Sequence, residues 1–466
     1  MCGIIGVIGS KFASEEVFLG MLNQQHRGQH SAGILTYSNH FHLRRENGLV
    51  DKAFDQKSLE ALVGNIGIGH TRYPTAGVNV PVQPFFLTYP YGIGMAHNGN
   101  IINFKSLRDY LVEEKHRILV YESDLEILLN IFSDALDPVL FSPNAVFNAV
   151  KEVYRMVNGG YSVVGLIARK GLFAFKDPRG IRPLLLSERR RGEELSYAFS
   201  SEDVAMRSQD YKVVRDLEPG EVVYIDMDLN IHSSVLEKNV PAPCMFEWVY
   251  FSRAESVLNK TSVYKVRLGL GKALAKQLKG IKADLVAPVP DTSRTAAISL
   301  AEELRLPYRE VLIKNRYVGR TFILQSQKER ENAVKLKLNV VYSEIQGKDV
   351  IIVDDSIVRG TTSKKIIELL REAGARKIYF VSTCPPLKHP CYYGIDFPLQ
   401  SELIASGQEI EEIRKTIGAD ALFYMDIKNL KKVLGIPLCT ACLNGDYPTP
   451  LFEAHIFEQQ RIEERQ

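Results

Sequence analysis

The hydrophobic and polar positions of this chain follow two different rhythms, and the first half is built from short apolar runs broken by glycines. The runs are GIGHTR (67–72), YGIGMAHNGN (91–100) and GYSVVGLIARKGLFAF (160–175). Runs of this length between glycines are typical of strands joined by tight turns. The first half is therefore predicted to be rich in β-structure.

Two segments of the first half have the apolar spacing of helices instead. These are EEVFLGMLNQQ (15–25), which we expect Gly28 to end, and SDLEILLNIFSDAL (123–136), which begins with Ser123. Serine is a favoured residue at a helix N-terminus because its hydroxyl accepts a free backbone N–H. Residues 1–236 are therefore predicted to form an α+β domain.

Beyond a Pro-containing segment at 237–248, which we predict to be a linker, strands alternate with longer helices. The predicted strands are DLVAPVP (284–290), KDVIIVDD (348–355) and KIYFVSTC (377–384), and the helices are TAAISLAEEL and SKKIIELLREAGA (363–375). Such alternation indicates a parallel sheet with crossover helices. Residues 237–466 are therefore predicted to form a second, α/β domain that ends in a polar helical tail.

Charge and composition narrow the class of protein. The 466 residues include 58 basic and 55 acidic side chains, a net charge of +3, and the two signs are interspersed. This balance gives no case for a nucleic-acid or membrane partner, so we expect small-molecule ligands. No apolar run approaches the roughly 18 residues of a membrane helix, and the start lacks the basic region of a signal peptide. We therefore expect a cytoplasmic protein, whose six cysteines are more often ligands, nucleophiles or core residues than disulfide partners.

The segment VIIVDDSIVRGTTS (350–363) is a buried strand that ends in two carboxylates and leads through a glycine into a hydroxyl-rich helix start. Ligands of open parallel sheets bind beyond the carboxyl ends of strands, and the N-terminus of a helix binds phosphate. Thr361, Thr362 and Ser363 would hold the phosphate. Asp354 and Asp355 would receive ribose hydroxyls or bind Mg²⁺. The segment resembles the signature of the phosphoribosyltransferase family, which implies a type I domain that binds phosphoribosyl pyrophosphate (PRPP) and assigns Arg359 and Gly360 to the same site.

Two neighbouring segments support this interpretation. APVPDTSRTAA (287–297) places Asp291, Thr292 and Ser293 after another strand, where they would contact Mg²⁺-bound pyrophosphate; we predict Thr292, Asp354 and Asp355 as the magnesium ligands. IKNRYVGRTFI (313–323) carries three cations, which would neutralise the leaving pyrophosphate: Lys314, Arg316 and Arg320. Taken alone, a run of charges such as this second segment usually marks a solvated loop.

Cys2 stands directly behind the initiator methionine, a place where a cysteine by itself is more often an incidental small residue. The segments that follow are MCGIIGV, QHRGQHSAG (25–33), GIGHTRYPTAG (67–77), MAHNGNI (95–101) and ESDLE (122–126). Together they resemble the glutamine amidotransferase domains of the N-terminal-nucleophile type, which implies an αββα sandwich. Removal of Met1 would give Cys2 a free α-amine with a pKa near 7.7–8.0, a base within the nucleophilic residue itself.

The remaining residues of this predicted glutaminase site have separate roles. Arg72 would pair with the α-carboxylate of glutamine and Asp124 would accept its α-ammonium. Asn98 and the Gly99 backbone N–H, which we expect in a tight turn, would form the oxyanion hole. His26 and His30 are four residues apart but Gly28 lies between them, so a zinc pair is not expected, and His70 and His97 are expected to shape the site or the core.

Four of the other cysteines lie in the second half or at its boundary: Cys244, Cys391, Cys439 and Cys442. Their surroundings, PAPCMFEW, HPCYYGID and CTACLNG, resemble those of the [4Fe-4S] ligands in one form of glutamine PRPP amidotransferase. A four-cysteine zinc site fits the same number of ligands. These relatives begin with a propeptide, whereas here only Met1 precedes Cys2. Cys384 is expected to be buried and inert.

Both domains therefore resemble, in order, the family of glutamine PRPP amidotransferases. The resemblance implies transfer of ammonia from glutamine to PRPP, giving phosphoribosylamine, glutamate and pyrophosphate in the first committed step of purine synthesis. It also implies a homotetramer with feedback by purine nucleotides. Asparagine synthetase and glucosamine-6-phosphate synthase share the first domain only. The alternative from another class is a non-enzymatic PRPP sensor, against which the intact nucleophile and the lack of a basic DNA-binding domain argue.

Overall fold

The computed structural model describes residues 1–73, 81–121, 123–315, 338–397 and 399–454, with 456, 458 and 459. The strands of the first domain are β1 Gly3–Ile8, β2 Ser31–Tyr37, β3 Phe41–Asn47, β4 Ile66–Arg72, β5 Phe85–Leu87, β6 Ile93–Ile101, β7 Gly159–Ile167, β8 Gly171–Lys176, β9 Leu185–Arg191, β10 Glu194–Ser200, β11 Lys212–Asp216, β12 Glu221–Asp226 and β13 Ile231–Val235. Its helices are α1 Ala13–Asn23, α2 Val50–Ala53, α3 Gln56–Glu60, α4 Phe104–Asp109, α5 Asp124–Ala135, α6 Pro143–Met156 and α7 Val204–Arg207.

These strands form two antiparallel sheets that pack face to face. One sheet has the order β11-β9-β10-β1-β4-β2-β3 and the other β13-β12-β8-β7-β6-β5. Apolar residues of both inner faces form one core, with Ile4 and Ile68 from the first sheet and Val164 and Val223 from the second. Helix α1 covers the outer face of the first sheet, and α5 and α6 cover that of the second. The predicted αββα sandwich is confirmed.

The second domain is built on a parallel sheet. Its strands are β14 Val257–Leu258, β15 Thr261–Ser262, β16 Leu285–Pro288, β17 Leu312–Lys314, β18 Leu338–Val340, β19 Asp349–Asp354, β20 Lys377–Ser382 and β21 Ala421–Tyr424. Its helices are α8 Val263–Ala275, α9 Arg294–Leu304, α10 Tyr342–Ile345, α11 Thr361–Glu372, α12 Ile410–Ile417, α13 Ile427–Leu434 and α14 Ala441–Asn444. The sheet order is β16-β19-β20-β21, and every neighbouring pair is parallel.

Helices cover both faces of this parallel sheet. Helices α8 and α9 pack on one face, and α11 and α12 pack on the other. The predicted α/β phosphoribosyltransferase fold is confirmed. The domain boundary at 236/237 stays a prediction, and the predicted C-terminal tail lies largely outside the described residues.

The predicted linker is only partly a linker, because its second half is buried. Met245 and Trp248 are 0% and 1% exposed and belong to the core of the second domain. Cys244 forms a parallel bridge with Cys439, so the chain enters the second domain before residue 248. Within the described ranges, no helix is both long and apolar enough to cross a membrane.

Candidate active sites

Cys2 lies at the start of β1 and is held by hydrogen bonds from three directions. Its backbone N–H donates to Asn98 Oδ1 at 2.9 Å, and its carbonyl accepts from Arg27 Nε at 3.1 Å. Its Sγ lies 3.8 Å from the carbonyl oxygen of Tyr73. Because Met1 still precedes it, the Cys2 nitrogen is an amide here and not yet an amine.

Asn98 and Gly99 lie inside β6, so the prediction that they form a tight turn is wrong. An Asn-Gly pair is a common hairpin signal, but here β6 continues to Ile101 and Gly99 pairs with Tyr161 of β7. Glycine is required because Gly99 has φ +147° and a Cβ there would lie 2.0 Å from the Gly160 oxygen. Asn98 Nδ2 is buried and finds no partner in the part of the chain that the structure describes, so this donor next to Cys2 is available to a ligand.

Arg72 and Asp124 reach the same region from two elements. Arg72 ends β4, which pairs with β1, and is 7% exposed; burial lowers its pKa, while the neighbouring Cys2 thiol acts in the opposite direction. Asp124 is the first residue of α5, and its Oδ2 accepts the N–H of Ile101 at 2.9 Å. Burial raises the pKa of Asp124 to about 7, although this hydrogen bond opposes the shift. A cationic group beside it would restore the carboxylate.

Two buried histidines lie close to this region. Burial lowers the pKa of both His70 and His97 to about 3, so both rings are neutral at physiological pH. His97 Nδ1 is 3.0 Å from Gln83 Nε2, and the His97 backbone partly opposes the lowering of the His70 pKa. His26 is engaged elsewhere, with Nε2 2.7 Å from Glu202 Oε1.

A cavity of about 360 Å³ lies at the carboxyl end of β19, where the second set of predicted residues meets. Gly360 has φ +77°, and a Cβ on it would lie 2.4 Å from the Ile404 side chain. This conformation turns the chain from the strand into α11, which begins at Thr361, two residues earlier than predicted. The predicted residues that line the cavity are Asp354, Asp355, Arg359, Gly360, Thr361, Thr362 and Ser363.

The two adjacent carboxyls of this cavity are costly to ionise together. Burial and the neighbouring Asp355 raise the pKa of Asp354 well above its usual range. Burial raises the pKa of Asp355 to about 6, although the Ser356 hydroxyl and the Arg267 guanidinium act in the opposite direction. A buried like-charged pair is relieved by a cation or by hydroxyl donors.

A larger cleft of about 930 Å³ adjoins this cavity and shares Asp355 with it. Thr292 and Lys314 line the cleft, and Lys314 Nζ lies 3.0 Å from Asp291 Oδ2. The other two predicted cations, Arg316 and Arg320, lie outside the described residues.

The four predicted cluster cysteines converge although they come from three separate segments. Cys244, Cys391, Cys439 and Cys442 line one enclosed cavity, and the free room between them is about 10 Å³. Burial raises the pKa of Cys244 to about 11. Within the described ranges, no three His, Cys, Asp or Glu side chains are arranged to hold a metal ion. Cys384 lies outside the lining of this cavity and is fully buried.

A buried ionic network, which no sequence pattern predicts, joins the two domains. Arg27 is 0% exposed and makes two hydrogen bonds to Glu247 of the second domain, at 2.9 and 3.0 Å. Its Nη1 also contacts Glu202, whose other oxygen accepts the Arg253 N–H and the Ser256 hydroxyl. Both partners of Arg27 lie more than 170 positions from it in the chain, and Glu202 lies more than 50 positions from Arg253 and Ser256, so neither spacing nor composition predicts these contacts.

Arg267 of α8 extends this network towards the second site. Its guanidinium donates to the carbonyls of Trp248, Tyr250 and Ser252, at 2.7–3.1 Å. These carbonyls belong to the segment that begins with Glu247, and Arg267 also faces Asp355. Arg27, Glu247 and Arg267 thus form a chain of contacts that runs from Cys2 to the cavity of Asp355.

Comparison with known proteins assigns a class to each half of the chain. Residues 70–208 match a glutamine amidotransferase domain, and residues 262–397 match a phosphoribosyl transferase domain. The chain is therefore a two-domain protein in which a glutaminase-type fold precedes a phosphoribosyltransferase-type fold.

Relatives over nearly the whole length narrow this class to one family. The chain is 44% identical to amidophosphoribosyltransferase from Escherichia coli K12 over 92% of this chain and 88% of that protein. It is also 44% identical to the Methanothermobacter thermautotrophicus protein of that name, over 97% and 95%. The solved structure of glutamine PRPP amidotransferase from Bacillus subtilis, complexed with ADP and GMP, superposes with a TM-score of 0.88 at 37% identity over 97% of this chain and 98% of that one. The chain belongs to the amidophosphoribosyltransferase family.

Proposed function

We propose that this chain hydrolyses glutamine at Cys2 and transfers the ammonia to PRPP, in the first committed step of purine synthesis. The observation that carries the proposal is the adjacency of the two sites. Cys2 is bound to Asn98, while Met1, its covalent neighbour, lines the cavity of Asp354 and Thr361. A product released at Cys2 is therefore formed next to the second site.

The first half-reaction uses the residues around Cys2. After Met1 is removed, the α-amine takes the thiol proton and the thiolate attacks the carboxamide carbon of glutamine. Asn98 Nδ2 and the Gly99 N–H stabilise the oxyanion. The protonated α-amine then gives its proton to the leaving nitrogen as the C–N bond breaks, which releases ammonia and leaves a thioester. Water hydrolyses the thioester to glutamate, and Arg72 and Asp124 hold the amino-acid end throughout.

The second half-reaction is a displacement at the anomeric carbon of PRPP. Ammonia forms the new C–N bond while the bond to pyrophosphate breaks, and the nitrogen then loses one proton to give phosphoribosylamine. The hydroxyl-rich start of α11 binds the 5-phosphate, and Asp354 and Asp355 receive the ribose hydroxyls. Lys314, with the predicted cations Arg316 and Arg320 of the same segment, neutralises the pyrophosphate.

Magnesium is proposed as the cation of the second site. The supporting observation is the adjacent carboxyl pair of Asp354, which is buried, and Asp355, which is partly buried; a raised pKa at both favours a compensating cation. Asp355 and Thr292 line one cleft, and Asp354 lies next to Asp355, so oxygen ligands suited to Mg²⁺ are adjacent. The metal would neutralise pyrophosphate as charge develops on it.

A [4Fe-4S] cluster is proposed for the four-cysteine cavity. The donor set is four cysteines, and Arg182, a buried cation, lines the same cavity and offsets thiolate charge. A four-cysteine zinc site would use the same number of ligands, and the resemblance of the surrounding segments to those of [4Fe-4S] ligands favours the cluster. Any occupant must displace side chains, because the free room is small.

The remaining proposals concern the protein in its cell. The B. subtilis relative was solved with ADP and GMP, and this supports purine nucleotides as feedback inhibitors of the present chain. Free cysteines throughout the described ranges support a reducing, cytoplasmic location. The homotetramer stays a prediction from the family resemblance.

An assay of three activities in the same preparation tests the proposal. Protein whose mass shows that it starts at Cys2 should release glutamate from glutamine and form phosphoribosylamine from PRPP with either glutamine or ammonium. Cys2→Ala should lose both glutamine-dependent activities and keep the ammonium-dependent one. Binding of PRPP without turnover from either nitrogen source would instead support the non-enzymatic sensor, for which relatives named as transferases give no precedent.

A further inference from the structure

The segment Cys391–Gly394 of the second domain packs against the strand that carries the predicted oxyanion hole. The main-chain carbonyl of Tyr392 accepts a hydrogen bond from Asn100 Nδ2 at 3.0 Å, directly after Asn98 and Gly99. Two residues further on, Gly394 reaches the backbone of Gly99 itself. The second domain therefore contacts β6, the strand that carries Asn98 and Gly99 of the glutaminase site.

The contact between Gly394 and Gly99 leaves no room for a side chain. A Cβ on Gly394 would lie 2.9, 3.0 and 3.1 Å from the carbonyl carbon, the oxygen and the Cα of Gly99. On the opposite side, a Cβ on Gly99 would lie 2.0 Å from the Gly160 oxygen of β7. Gly99 is therefore enclosed between the backbone of β7 and the backbone of a segment from the other domain.

The same segment is anchored at several points, so it can hold Gly99 in place. The buried Arg182 donates through Nε to the Tyr393 carbonyl at 2.7 Å, and the Tyr393 hydroxyl lies 2.9 Å from Thr449 Oγ1. The Tyr393 N–H donates to Cys391 Sγ at 3.4 Å, which ties the segment to the four-cysteine cavity.

We infer that Cys391–Gly394 is a positioning segment for the oxyanion hole: the second domain fixes the Gly99 N–H through Gly394 and the Asn100 side chain. This inference rests on the proposed glutamine hydrolysis at Cys2. An oxyanion-hole donor acts at a hydrogen-bond distance of about 2.7–3.1 Å from the developing charge, and its position must be held to within about 0.5 Å. A small displacement of Gly99 should therefore slow the chemical step without weakening the binding of glutamine, which Arg72 and Asp124 bind.

Gly394→Ala tests the inference, with Gly280→Ala as its matched control. Gly394 has φ +95° and Gly280 has φ +92°, so both substitutions meet the same backbone strain, but a Cβ on Gly280 meets nothing within 4 Å. We expect Gly394→Ala to lower kcat for glutamine hydrolysis about tenfold or more relative to Gly280→Ala. KM for glutamine, ammonium-dependent synthesis and the rate at which iodoacetamide alkylates Cys2 should each stay within about twofold of the control.

A second variant keeps the test decisive if Gly394→Ala does not fold. Asn100→Asp replaces the amide donor with a carboxylate that repels the Tyr392 carbonyl, and it should show the same fall in kcat at constant KM. Control-level kcat in the folded variants, or an equal loss of glutamine- and ammonium-dependent activity, would overturn the inference. Wild-type enzyme without any glutamine hydrolysis would overturn the proposed function instead, and this inference with it.

Discussion

Met1 contacts the buried guanidinium of Arg182 through its sulfur, and Met1 is only 2% exposed. The initiator methionine thus belongs to the core of the second domain, although Cys2 belongs to the first. Burial lowers the pKa of the Met1 α-amine to about 6, so this amine is mostly neutral at pH 7.

The first prediction compares two N-termini of the same chain. Cleavable fusions should yield protein that starts either at Met1 or at Cys2. Only the Cys2 form should hydrolyse glutamine, because an amide nitrogen cannot accept the thiol proton. Ammonium-dependent synthesis should occur in both forms, and equal glutamine hydrolysis by both would refute the role of the free amine.

The second prediction concerns Asp124 and the pH dependence of glutamine binding. Its carboxyl has a pKa of about 7 in the free protein, and only the carboxylate binds an α-ammonium. KM for glutamine should therefore rise as pH falls below about 7, approaching tenfold per pH unit, while KM for PRPP does not follow that curve. A flat KM profile between pH 5.5 and 8 would contradict the assignment. Asp124→Asn should raise KM at every pH and remove the dependence.

The third prediction concerns the stability cost of the carboxyl pair. Asp355 has a raised pKa in the folded chain, so its favourable contribution is present at low pH and is lost as pH rises through about 6. Asp355→Asn should therefore raise the free energy of unfolding by about 1–3 kcal/mol at pH 8 and by little at pH 4. Chemical denaturation without ligands measures this difference. The same variant should lose most PRPP-dependent synthesis, and a destabilised variant at pH 8 would count against the buried pair.

The fourth prediction concerns the ionic network between the domains. Glu247→Ala leaves Arg27 with one of its two buried carboxylate partners, and removal of a partner from such a pair costs about 3–5 kcal/mol. The control is Glu194→Ala, which removes the exposed partner of Lys11 and should cost less than about 1 kcal/mol. Urea denaturation should show this difference. Equal midpoints for the two variants would mean that the network contributes little.

The fifth prediction concerns the four-cysteine cavity. Anaerobically purified protein should be brown with about four iron atoms per chain. Cys439→Ser should lose the iron, and Cys384→Ala should keep it because that thiol lies outside the cavity lining. Loss of iron should reduce glutamine hydrolysis more than ammonium-dependent synthesis, since Cys391 leads into the segment behind Gly99. Colourless protein with one zinc per chain would contradict the cluster.

Local patterns predicted both folds, and the strand and helix on either side of Gly360, because their signals lie within short stretches. The strand that ends at Asp354 and the hydroxyls after Gly360 are within ten residues of each other. The prediction of a turn at Asn98–Gly99 was wrong because an Asn-Gly pair occurs both in hairpins and in strands that need a glycine. Only the pairing of β6 with β7, some sixty residues away, decides between them.

Contacts between distant segments could not be predicted from the sequence. Arg27, Glu247 and Arg267 look like ordinary surface charges, and their burial depends on how two domains meet. In HPCYYGID the local signal is the cysteine, whereas Gly394 is the residue whose backbone approaches that of Gly99. Charged residues that are buried only in the assembled fold carry no periodic signal.

Glu202 receives hydrogen bonds from its own domain and from Arg253 and Ser256 of the next one. For protein engineering, this means that the first domain is not suited to being expressed or transferred by itself. Cut after residue 236, it would expose a carboxylate built for donors that the other half supplies. A chimaera that supplies ammonia to a different synthase should therefore include residues 244–256 with the first domain, so that Glu202 keeps its native hydrogen-bond donors.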